Sequence, residues 1–513
     1  HRETDRFPDV TAAARDRPRF LLEVVVFCVG MASLGAEIAA ARLLAPWFGA
    51  STIVWANTIA TVLVALSVGY AIGGRLADRN PTMAGLARWV VAAAALLALV
   101  PFVSGPFLRQ STKAFAELSG GLFVGSLLGV GVLIAVPVLL LGMVSPYAVR
   151  LKVDQVADAG QVSGRLYAIG TIGSLTGTFL ASLLLIPLVG THRTFLLFSL
   201  VLALVALPAL GRRWVVAAAV AAVIAVLTVL PVGSTKTTTS NGTVIWERET
   251  EYQYARVIQH TDGQRLLELN EGQAVHSVYR QGEWLTGGYW DEMLVLPFSG
   301  QNAPKRVAIL GSAAGTTARA MGHYFPDLHV DAVEIDPDVT EVGRELFDLR
   351  GQNITTHAAD ARPWLQAQDT QYDAILVDAY RQPYIPFYLT TKEFFDVVKE
   401  RLVPGGTIAI NVGHPARSDK LEKVLSATLR ASFGDDRVWR DPVDDTNTML
   451  LGTTTHGDPA DRLRNADVPD EVRTVSRQTA DRLAPGLTGG TVYTDDRAPV
   501  EWLVDASLAE VAR

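Results

Sequence analysis

The stretch Val307-Ala-Ile-Leu-Gly-Ser-Ala-Ala-Gly315 decides the fold of the second half of this chain. Its apolar residues predict a buried strand, and the small residues that follow predict a tight turn into a helix. The segment Val333-Glu-Ile-Asp336 places an acid at the end of the next apolar strand, about twenty residues later. This order is typical of a doubly wound parallel sheet that binds ligands at the carboxyl ends of its strands.

Alternating strands and helices continue this pattern. The predicted strands are residues 306–310, 330–335, 354–357, 372–377 and 407–411, and residues 437–440 and 447–452 are expected to add an antiparallel edge. Before them, residues 243–278 alternate apolar and polar positions around Asp262-Gly263, which predicts a hairpin in a small β-domain. The second half is therefore expected to be a small β-domain followed by a Rossmann-like domain.

The first half has a different composition. Hydrophobic residues make up 49% of the 513 residues, which is high for a soluble protein of this size. A bilayer span takes about 20 mostly apolar residues. We find seven candidate spans: residues 20–45, 51–76, 84–103, 121–149, 161–190, 193–210 and 212–232. The expected domains are an N-terminal tail (1–19), an α-helical transmembrane bundle (20–232), the small β-domain (233–288) and the Rossmann-like domain (289–513).

Charge and cysteine content exclude several classes of site. The net charge of −7 gives no reason to expect nucleic-acid binding. Cys28 is the only cysteine, so neither a disulfide framework nor a cysteine-based zinc site can form within the chain.

Polar residues lie at the end of each core strand. Glu334 ends the second strand, where an acid can accept hydrogen bonds from both ribose hydroxyls. Asp360 follows the third strand, where an adenine amino group would lie, and Asp378 ends the fourth, pointing at a reacting centre. Together they predict a nucleoside site. Each Asp taken singly would be better interpreted as a helix cap or part of a turn.

At these residues the chain resembles the spermidine synthase (polyamine aminopropyltransferase) family. The resemblance covers residues 244–504, and the motifs that carry it are Tyr252-Gln253, Tyr289, Asp291-Glu292, Val333-Glu-Ile-Asp336, Ala359-Asp360, Val377-Asp378 and Pro404-Gly405-Gly406. The whole arrangement is similar to bacterial chains in which a multi-pass, transporter-like membrane domain precedes such a domain. In those chains, segments like 378–387 and 494–501 look characteristic.

The resemblance implies transfer of an aminopropyl group from decarboxylated S-adenosylmethionine to a diamine. An uncharged amine attacks the carbon beside a sulfonium, so a carboxylate must hold the amine and accept its proton. Asp378 matches that base, and Tyr289 matches the aromatic residue that orients the amine. The positions expected to hold the nucleoside are Gln253, Gly311, Gly315, Glu334 and Asp360. The positions expected to contact the acceptor are Tyr252, Asp291, Tyr380 and Arg381.

Three residues depart from the family pattern. Ala314 replaces an acid that grips the terminal amine of the co-substrate, and Arg381 replaces a second acid near the base. Trp290 stands where a His often follows the tyrosine. An added cation beside the acceptor would repel a polyamine, and the lost acid also suits ordinary S-adenosylmethionine. We therefore expect either form of the co-substrate, no metal, and an acceptor other than putrescine.

Two other functions remain open: an S-adenosylmethionine-dependent methyltransferase on a membrane-delivered substrate, and a transporter with a nucleoside-sensing domain. The expected partners are a small amine or related acceptor, the lipid bilayer and a second copy of the chain. Lys and Arg concentrate in alternate connections of the first half, which places the N-terminus in the cytoplasm. Seven spans would then put the second half outside, whereas its nucleoside ligand favours a cytoplasmic face. We expect a multi-pass protein of the cell membrane with a cytoplasmic catalytic domain.

Overall fold

A computed structural model describes residues 10–49, 52–115, 121–153, 155–211, 214–230, 242–270, 274–380, 385–416 and 418–504. The chain divides into two compact units. The helical unit comprises His1–Ala116 and Leu122–Lys236, and the C-terminal unit comprises Glu117–Gly121 and Thr237–Arg513.

Long apolar helices form the helical unit. They are α1 (Val10–Phe48), α2 (Thr52–Arg79), α3 (Met83–Phe115), α4 (Gly121–Gly142), α5 (Val144–Lys152), α6 (Ala159–Phe179), α7 (Ile186–Ala206) and α8 (Trp214–Val229), with a π-helical segment, Leu180–Leu185, joining α6 to α7. Among the described residues, five helical runs are long and apolar enough to cross a membrane, and α8 is a shorter apolar helix.

The fifth of these runs, Ala159–Ala209, has 51 residues. At about 1.5 Å per residue it is more than twice as long as the roughly 30 Å hydrocarbon core of a bilayer. Gly190 interrupts it with non-helical dihedral angles, φ 83° and ψ 165°. The two parts correspond to the predicted spans 161–190 and 193–210. The count of seven spans stays a prediction, because it also requires the 16-residue helix α8 to cross.

Ion pairs join several of the segments that connect the helices, at one end of the helical unit. Near the start of the first apolar run, Glu23 accepts hydrogen bonds from Lys152 and Arg165. Arg150 pairs with Asp78, near the end of α2, at 3.3 Å. The connections that contain Arg150 and Arg165 and the end of α2 near Asp78 therefore lie at one end of the unit, whereas Arg212 and Arg213 lie outside the described residues.

Helices α1 and α6 pack backbone to backbone. A Cβ at Gly173 would lie 2.1 Å from the Phe27 carbonyl oxygen, and one at Gly177 would lie 1.9 Å from that of Met31. Both distances are shorter than any side chain tolerates, so only glycine permits this approach. The contact positions increase together along both helices, which shows that α1 and α6 run parallel.

In the C-terminal unit the small β-domain is an antiparallel sheet in the order β1-β2-β3-β4. Its strands are β1 (Gly242–Glu249), β2 (Tyr254–His260), β3 (Arg265–Leu269) and β4 (Val275–Tyr279). Val257 and Leu267, on its buried face, belong to one apolar cluster with Ala314 and Val342 of the larger fold. The β-domain therefore packs directly against the glycine-containing loop and the helix that follows the second core strand.

The larger sheet has the order β12-β10-β11-β9-β8-β5-β6-β7. Its strands are β5 (Arg306–Leu310), β6 (His329–Glu334), β7 (Ile354–Ala358), β8 (Tyr372–Val377), β9 (Leu402–Gly413), β10 (Val438–Pro442), β11 (Asn447–Thr453) and β12 (Ala484–Pro485). The five strands from β5 to β9 are parallel, and β10 to β12 form an antiparallel edge. The chain order reverses between β5 and β8, where ligands of such sheets bind.

Helices surround this sheet. They are α9 (Trp290–Val295), α10 (Thr316–Tyr324), α11 (Pro337–Leu346), α12 (Ala361–Gln366), α13 (Lys392–Glu400), α14 (Lys420–Phe433), α15 (Pro459–Arg464) and α16 (Asp470–Arg482). The predicted parallel core and antiparallel edge are both present. Strand β12 and the helices α9, α12, α14, α15 and α16 were not predicted.

Candidate active site

The loop between β5 and α10 contains three residues with left-handed backbone: Gly311 (φ 87°), Ala313 (φ 46°) and Gly315 (φ 89°). A Cβ on Gly311 would lie 2.5 Å from the Ala379 Cα, so this glycine admits the chain that leaves β8. Ala313 adopts a conformation that is unfavourable for a residue with a Cβ. In it, the Ala313 N–H donates to Glu334 Oε2 at 2.8 Å.

Glu334 lies buried at the end of β6 and joins two loops. Besides the bond from Ala313, Oε1 accepts a hydrogen bond from the Asp336 N–H at 3.1 Å. A carboxylate has about four acceptor sites, so each oxygen keeps capacity for one more donor. Burial raises the pKa of Glu334 to about 7, although its backbone hydrogen bonds favour the ionised form. The arrangement suits a pair of neighbouring hydroxyls.

Asp336 connects the β-domain to this edge. Its Oδ2 accepts hydrogen bonds from Thr250 Oγ1 at 2.6 Å and from Gln253 Nε2 at 3.4 Å. Burial raises the pKa of Tyr252, and the negative charges of Glu251, Asp336 and Asp360 raise it further. Tyr252 therefore lies near the ends of both β6 and β7. Asp336 belongs to the motif Val333-Glu-Ile-Asp336, but no contact of its side chain was predicted from the sequence.

Asp360 has two roles in the structure. It caps α12 by accepting the Arg362 N–H at 3.3 Å, and it accepts the Tyr388 hydroxyl at 3.1 Å. The Arg362 guanidinium binds both carboxylate oxygens of Asp495 at 2.7 and 2.6 Å and also donates to the Tyr388 carbonyl. The C-terminal segment around Asp495 thus braces the residue expected to meet adenine.

Asp378, directly after β8, lies between two donors. The Tyr289 hydroxyl donates to Oδ2 at 3.1 Å, and Asn411 Nδ2 donates to Oδ1 at 2.8 Å. Burial raises the pKa of Asp378 to about 7, the two hydrogen bonds oppose that rise, and the charge of Glu334 adds to it. A carboxylate held in this way can exchange a proton near neutral pH. The structure therefore brings the two predicted catalytic residues into direct contact.

Sequence reasoning missed Asn411. It lies two residues before the end of the long strand β9, and its Oδ1 accepts a hydrogen bond from Asn447 Nδ2 at 2.8 Å, which orients the amide. Tyr380 is also held here, since its hydroxyl donates to the Asn411 carbonyl at 2.7 Å and accepts the Gly413 N–H. A lone amide at the end of an apolar strand was the only signal of Asn411 in the sequence.

The remaining predicted positions are not all part of this group of contacts. Asp291 is buried and accepts hydrogen bonds from the N–H groups of Thr286 and Gly287, so its carboxylate holds the loop before α9. Arg381 lies outside the described residues. Ala314 is buried, and its N–H donates to Ser277 Oγ at 3.0 Å. Within the described ranges, no group of three or more His, Cys, Asp or Glu could hold a metal ion.

Comparison with known proteins finds a domain model and several relatives that match this part of the chain. Residues 288–435 match the model of the spermine/spermidine synthase domain. A probable polyamine aminopropyl transferase of Bifidobacterium longum is 30% identical over 292 residues, which span 52% of this chain and 65% of that relative.

Two further relatives extend the comparison. Polyamine aminopropyltransferase 1 of Streptomyces coelicolor is 26% identical and aligns with 81% of this chain and 80% of its own length. Putrescine N-methyltransferase 2 of Nicotiana tabacum is 34% identical over 131 residues, covering 24% of this chain and 37% of the relative. The C-terminal unit therefore contains a spermine/spermidine synthase domain, and this chain spans just under two thirds of the Bifidobacterium longum relative.

Proposed function

We propose that the C-terminal unit transfers an aminopropyl group from decarboxylated S-adenosylmethionine to the nitrogen of a small amine. The contact that carries this proposal is the Asp378 carboxylate, which has Tyr289 on one oxygen and Asn411 on the other. Its pKa near 7 lets it accept the proton that an attacking amine must lose.

The chemistry requires no oxidant or reductant. The amine nitrogen forms a bond to the carbon beside the sulfonium, the C–S bond breaks, and its electron pair leaves the sulfur as a neutral thioether. The proton from the amine passes to Asp378. Tyr289 and Asn411 keep this carboxylate oriented while it is charged, and both hydrogen bonds are stronger to the ionised form.

Free acceptor capacity at the strand ends supports a nucleoside ligand. Glu334 can still accept two hydroxyl donors, and the buried Ser312 hydroxyl, in the loop after β5, has no hydrogen-bond partner among the described residues. A buried hydroxyl without a hydrogen bond destabilises the folded state, unless a ligand supplies the missing partner. Gln253, Asp336 and Asp360 line the same edge, and we assign the nucleoside to this row of side chains.

We assign an acceptor other than putrescine. Arg381 introduces a cation three residues after the base, and Ala314 removes a carboxylate from the co-substrate loop. Both changes lower the negative charge available to a dication. The same loss at Ala314 suits a co-substrate that carries a carboxylate.

Methyl transfer from ordinary S-adenosylmethionine is the second candidate. The relative from Nicotiana tabacum is named a putrescine N-methyltransferase, and the same base could serve attack on a methyl carbon. A transporter with a nucleoside-sensing domain is less well supported, because sensing needs no base held between two donors.

The helical unit, we propose, is embedded in the cell membrane with the C-terminal unit on the cytoplasmic side. Its apolar runs and the basic connections gathered at one end support this arrangement. The cytoplasmic side follows if α8 does not cross the bilayer, because an even number of spans then remains. A cysteine introduced at exposed Asp369 and probed in whole cells with an impermeant thiol reagent tests the side. Labelling from outside would contradict it.

The activity test pairs both co-substrates with several amines. Full-length protein in detergent is incubated with decarboxylated or ordinary S-adenosylmethionine and with putrescine, longer polyamines or amines that carry a carboxylate. Mass spectrometry then distinguishes addition of an aminopropyl group from addition of a methyl group. We expect aminopropyl products and poor use of putrescine. Methyl products would support methyl transfer from ordinary S-adenosylmethionine. Efficient formation of spermidine would contradict the assignment of an acceptor other than putrescine.

A further inference from the structure

A cavity of about 330 Å³ lies between the β-domain and helices α10 and α11, and it is distinct from the Asp378 site. Four guanidinium groups line it, from Arg265 of β3, Arg319 of α10, Arg344 of α11 and Arg350. Among the described residues, the lining includes two carboxylates, those of Glu345 and Asp348. The positive groups therefore outnumber the negative ones.

Arg319 lies at the buried end of this cavity and is 3% exposed. Its one hydrogen bond within the described residues goes to a neutral acceptor, the Glu283 carbonyl oxygen, at 2.8 Å, and its Nε has no partner. A buried guanidinium normally has a carboxylate or phosphate as counter-ion. In the described part of the chain no carboxylate lies within salt-bridge distance of Arg319.

Within the described ranges, the hydrogen bonds of two further arginines of the cavity also go to neutral acceptors. Arg265 donates to the Leu346 carbonyl oxygen at 2.7 Å and to Gln259 Oε1 at 3.4 Å, and Arg344 donates to Thr356 Oγ1. Arg350 is 3.8 Å from Asp348, at the outer edge of ion-pair distance. Because Arg344 and Arg350 are exposed, they stand at the solvent side of the cavity.

Aromatic contacts restrict the kind of ligand. Trp284 stacks on His323 at 4.0 Å between ring centroids, and the Arg319 guanidinium lies 4.5 Å from the centre of the same ring. Because both groups already contact the indole, the ring offers little surface on which a nucleobase could stack. Recognition would rest on charge, and planar guanidiniums match phosphate oxygens in pairs.

We propose that this cavity binds a small polyvalent phosphate, with Arg319 as the buried contact and Arg344 and Arg350 as contacts at its mouth. Bound phosphate would affect the nucleoside site through helix α10, which connects the two. That helix begins after Gly315, and the Thr316 hydroxyl both accepts the Val278 N–H at 2.8 Å and donates to the Val278 carbonyl at 3.1 Å. The next residue, Tyr279, lines the cavity.

Calorimetry on the full-length protein in detergent tests the site, with pyrophosphate as the probe. We expect saturable binding of one pyrophosphate per chain and at least a tenfold loss of affinity in Arg344→Gln. The matched control is Arg473→Gln, which removes an exposed arginine of α16 that pairs with Asp470. It should bind as the wild type does. Absence of saturable binding, or equal weakening in both variants, would overturn the proposal.

Two additional measurements sharpen this test. Arg319→Gln should abolish binding, and because it removes a buried group, its melting temperature is measured alongside; Arg350→Gln serves if that variant does not fold. Citrate is titrated in parallel at equal ionic strength, and tighter binding of citrate than of pyrophosphate would contradict the phosphate assignment. None of these measurements depends on transferase activity, so the site can fail while the proposed function stands.

Discussion

The helical unit and the C-terminal unit use glycine for opposite purposes. In the helical unit, Gly173 and Gly177 keep helical backbone and are needed because another helix lies where a side chain would be. In the C-terminal unit, Gly311 and Gly315 have positive φ and shape a turn. The same residue thus serves close packing in one region and loop geometry in the other.

Polar side chains differ in the same way. In the helical unit, Ser33, Thr58 and Ser199 each donate to the carbonyl four residues earlier in their own helix. In the C-terminal unit, Tyr289 and Asn411 reach Asp378 from elements 89 and 33 residues away in sequence. Hydrogen bonds within one helix satisfy the polar groups of a scaffold. Hydrogen bonds between side chains of distant elements, by contrast, form a reactive site. Changes in the two units should therefore affect different observables.

The largest effect on turnover is expected from Asp378→Asn. The amide keeps the shape of the side chain but cannot accept the proton of the amine, so turnover should fall by about 10²–10⁴, with nucleoside affinity nearly unchanged. Steady-state kinetics and calorimetry measure the two quantities. Asp369→Asn, an exposed control in the connection before β8, should behave as the wild type. Full activity of Asp378→Asn would return this residue to a structural role.

Glu334→Ala should weaken nucleoside binding by about 1.5–3 kcal/mol, the range for hydrogen bonds to a charged group. This corresponds to roughly a 10- to 150-fold rise in Kd. Direct titration with the nucleoside measures it, and Glu341→Ala on the exposed side of α11 is the control. Unchanged affinity in Glu334→Ala would remove the basis for assigning the ribose to this carboxylate.

The pH dependence should show an acidic limb near pH 7. Asp378 must be ionised to act as a base, and its pKa is raised to about 7, as is that of Glu334. Activity should therefore fall about tenfold per pH unit below the limb. Because the two carboxylates influence each other, the limb reports the pair. A flat profile between pH 5 and 8 would contradict this assignment.

The stability of the folded protein should change with pH in the direction opposite to activity, falling as the pH rises. A carboxyl group whose pKa is raised on folding stabilises the native state below its unfolded pKa and loses that contribution as pH rises through about 7. The melting temperature of the wild type should therefore drop more between pH 5 and 8 than that of Asp378→Asn, which cannot ionise.

The smallest effect on turnover is expected from Gly177→Ala in the helical unit. Its new Cβ meets the Met31 carbonyl oxygen at 1.9 Å, and overpacking of this kind costs about 1–3 kcal/mol. Cys28, the only cysteine, lies in α1 and reports unfolding through a thiol-reactive fluorophore. The melting temperature should fall, whereas turnover per folded molecule should not change.

Gly164→Ala on the same helix is the matched control. No atom lies within 4 Å of its ideal Cβ, so alanine should be tolerated or slightly stabilising. Equal melting temperatures for the two variants would contradict the close packing of α1 on α6.

The sequence predicted much of the fold and part of the site. Each signal was local: alternation in the β-domain, small residues after β5, and acids that follow apolar strands. Helices α9, α12, α14, α15 and α16 were missed, because helix formation in proteins depends on tertiary packing more than on propensity. Strand β9 is also longer at both ends than the predicted residues 407–411. The close approach of Ala379 to Gly311 was not predicted either, and the contact of Gly311 with a cofactor stays a prediction.

By itself, then, the amino-acid sequence determined the division into an apolar helical half and an α/β half, and which acids end the core strands. Strand periodicity and bilayer length are properties of short segments, so they can be seen without a structure. Only the tertiary structure decided that Asn411 orients Asp378, that Asp336 binds the β-domain, and that four arginines share one cavity. Those contacts join residues far apart in the chain, and no local pattern encodes which of them meet.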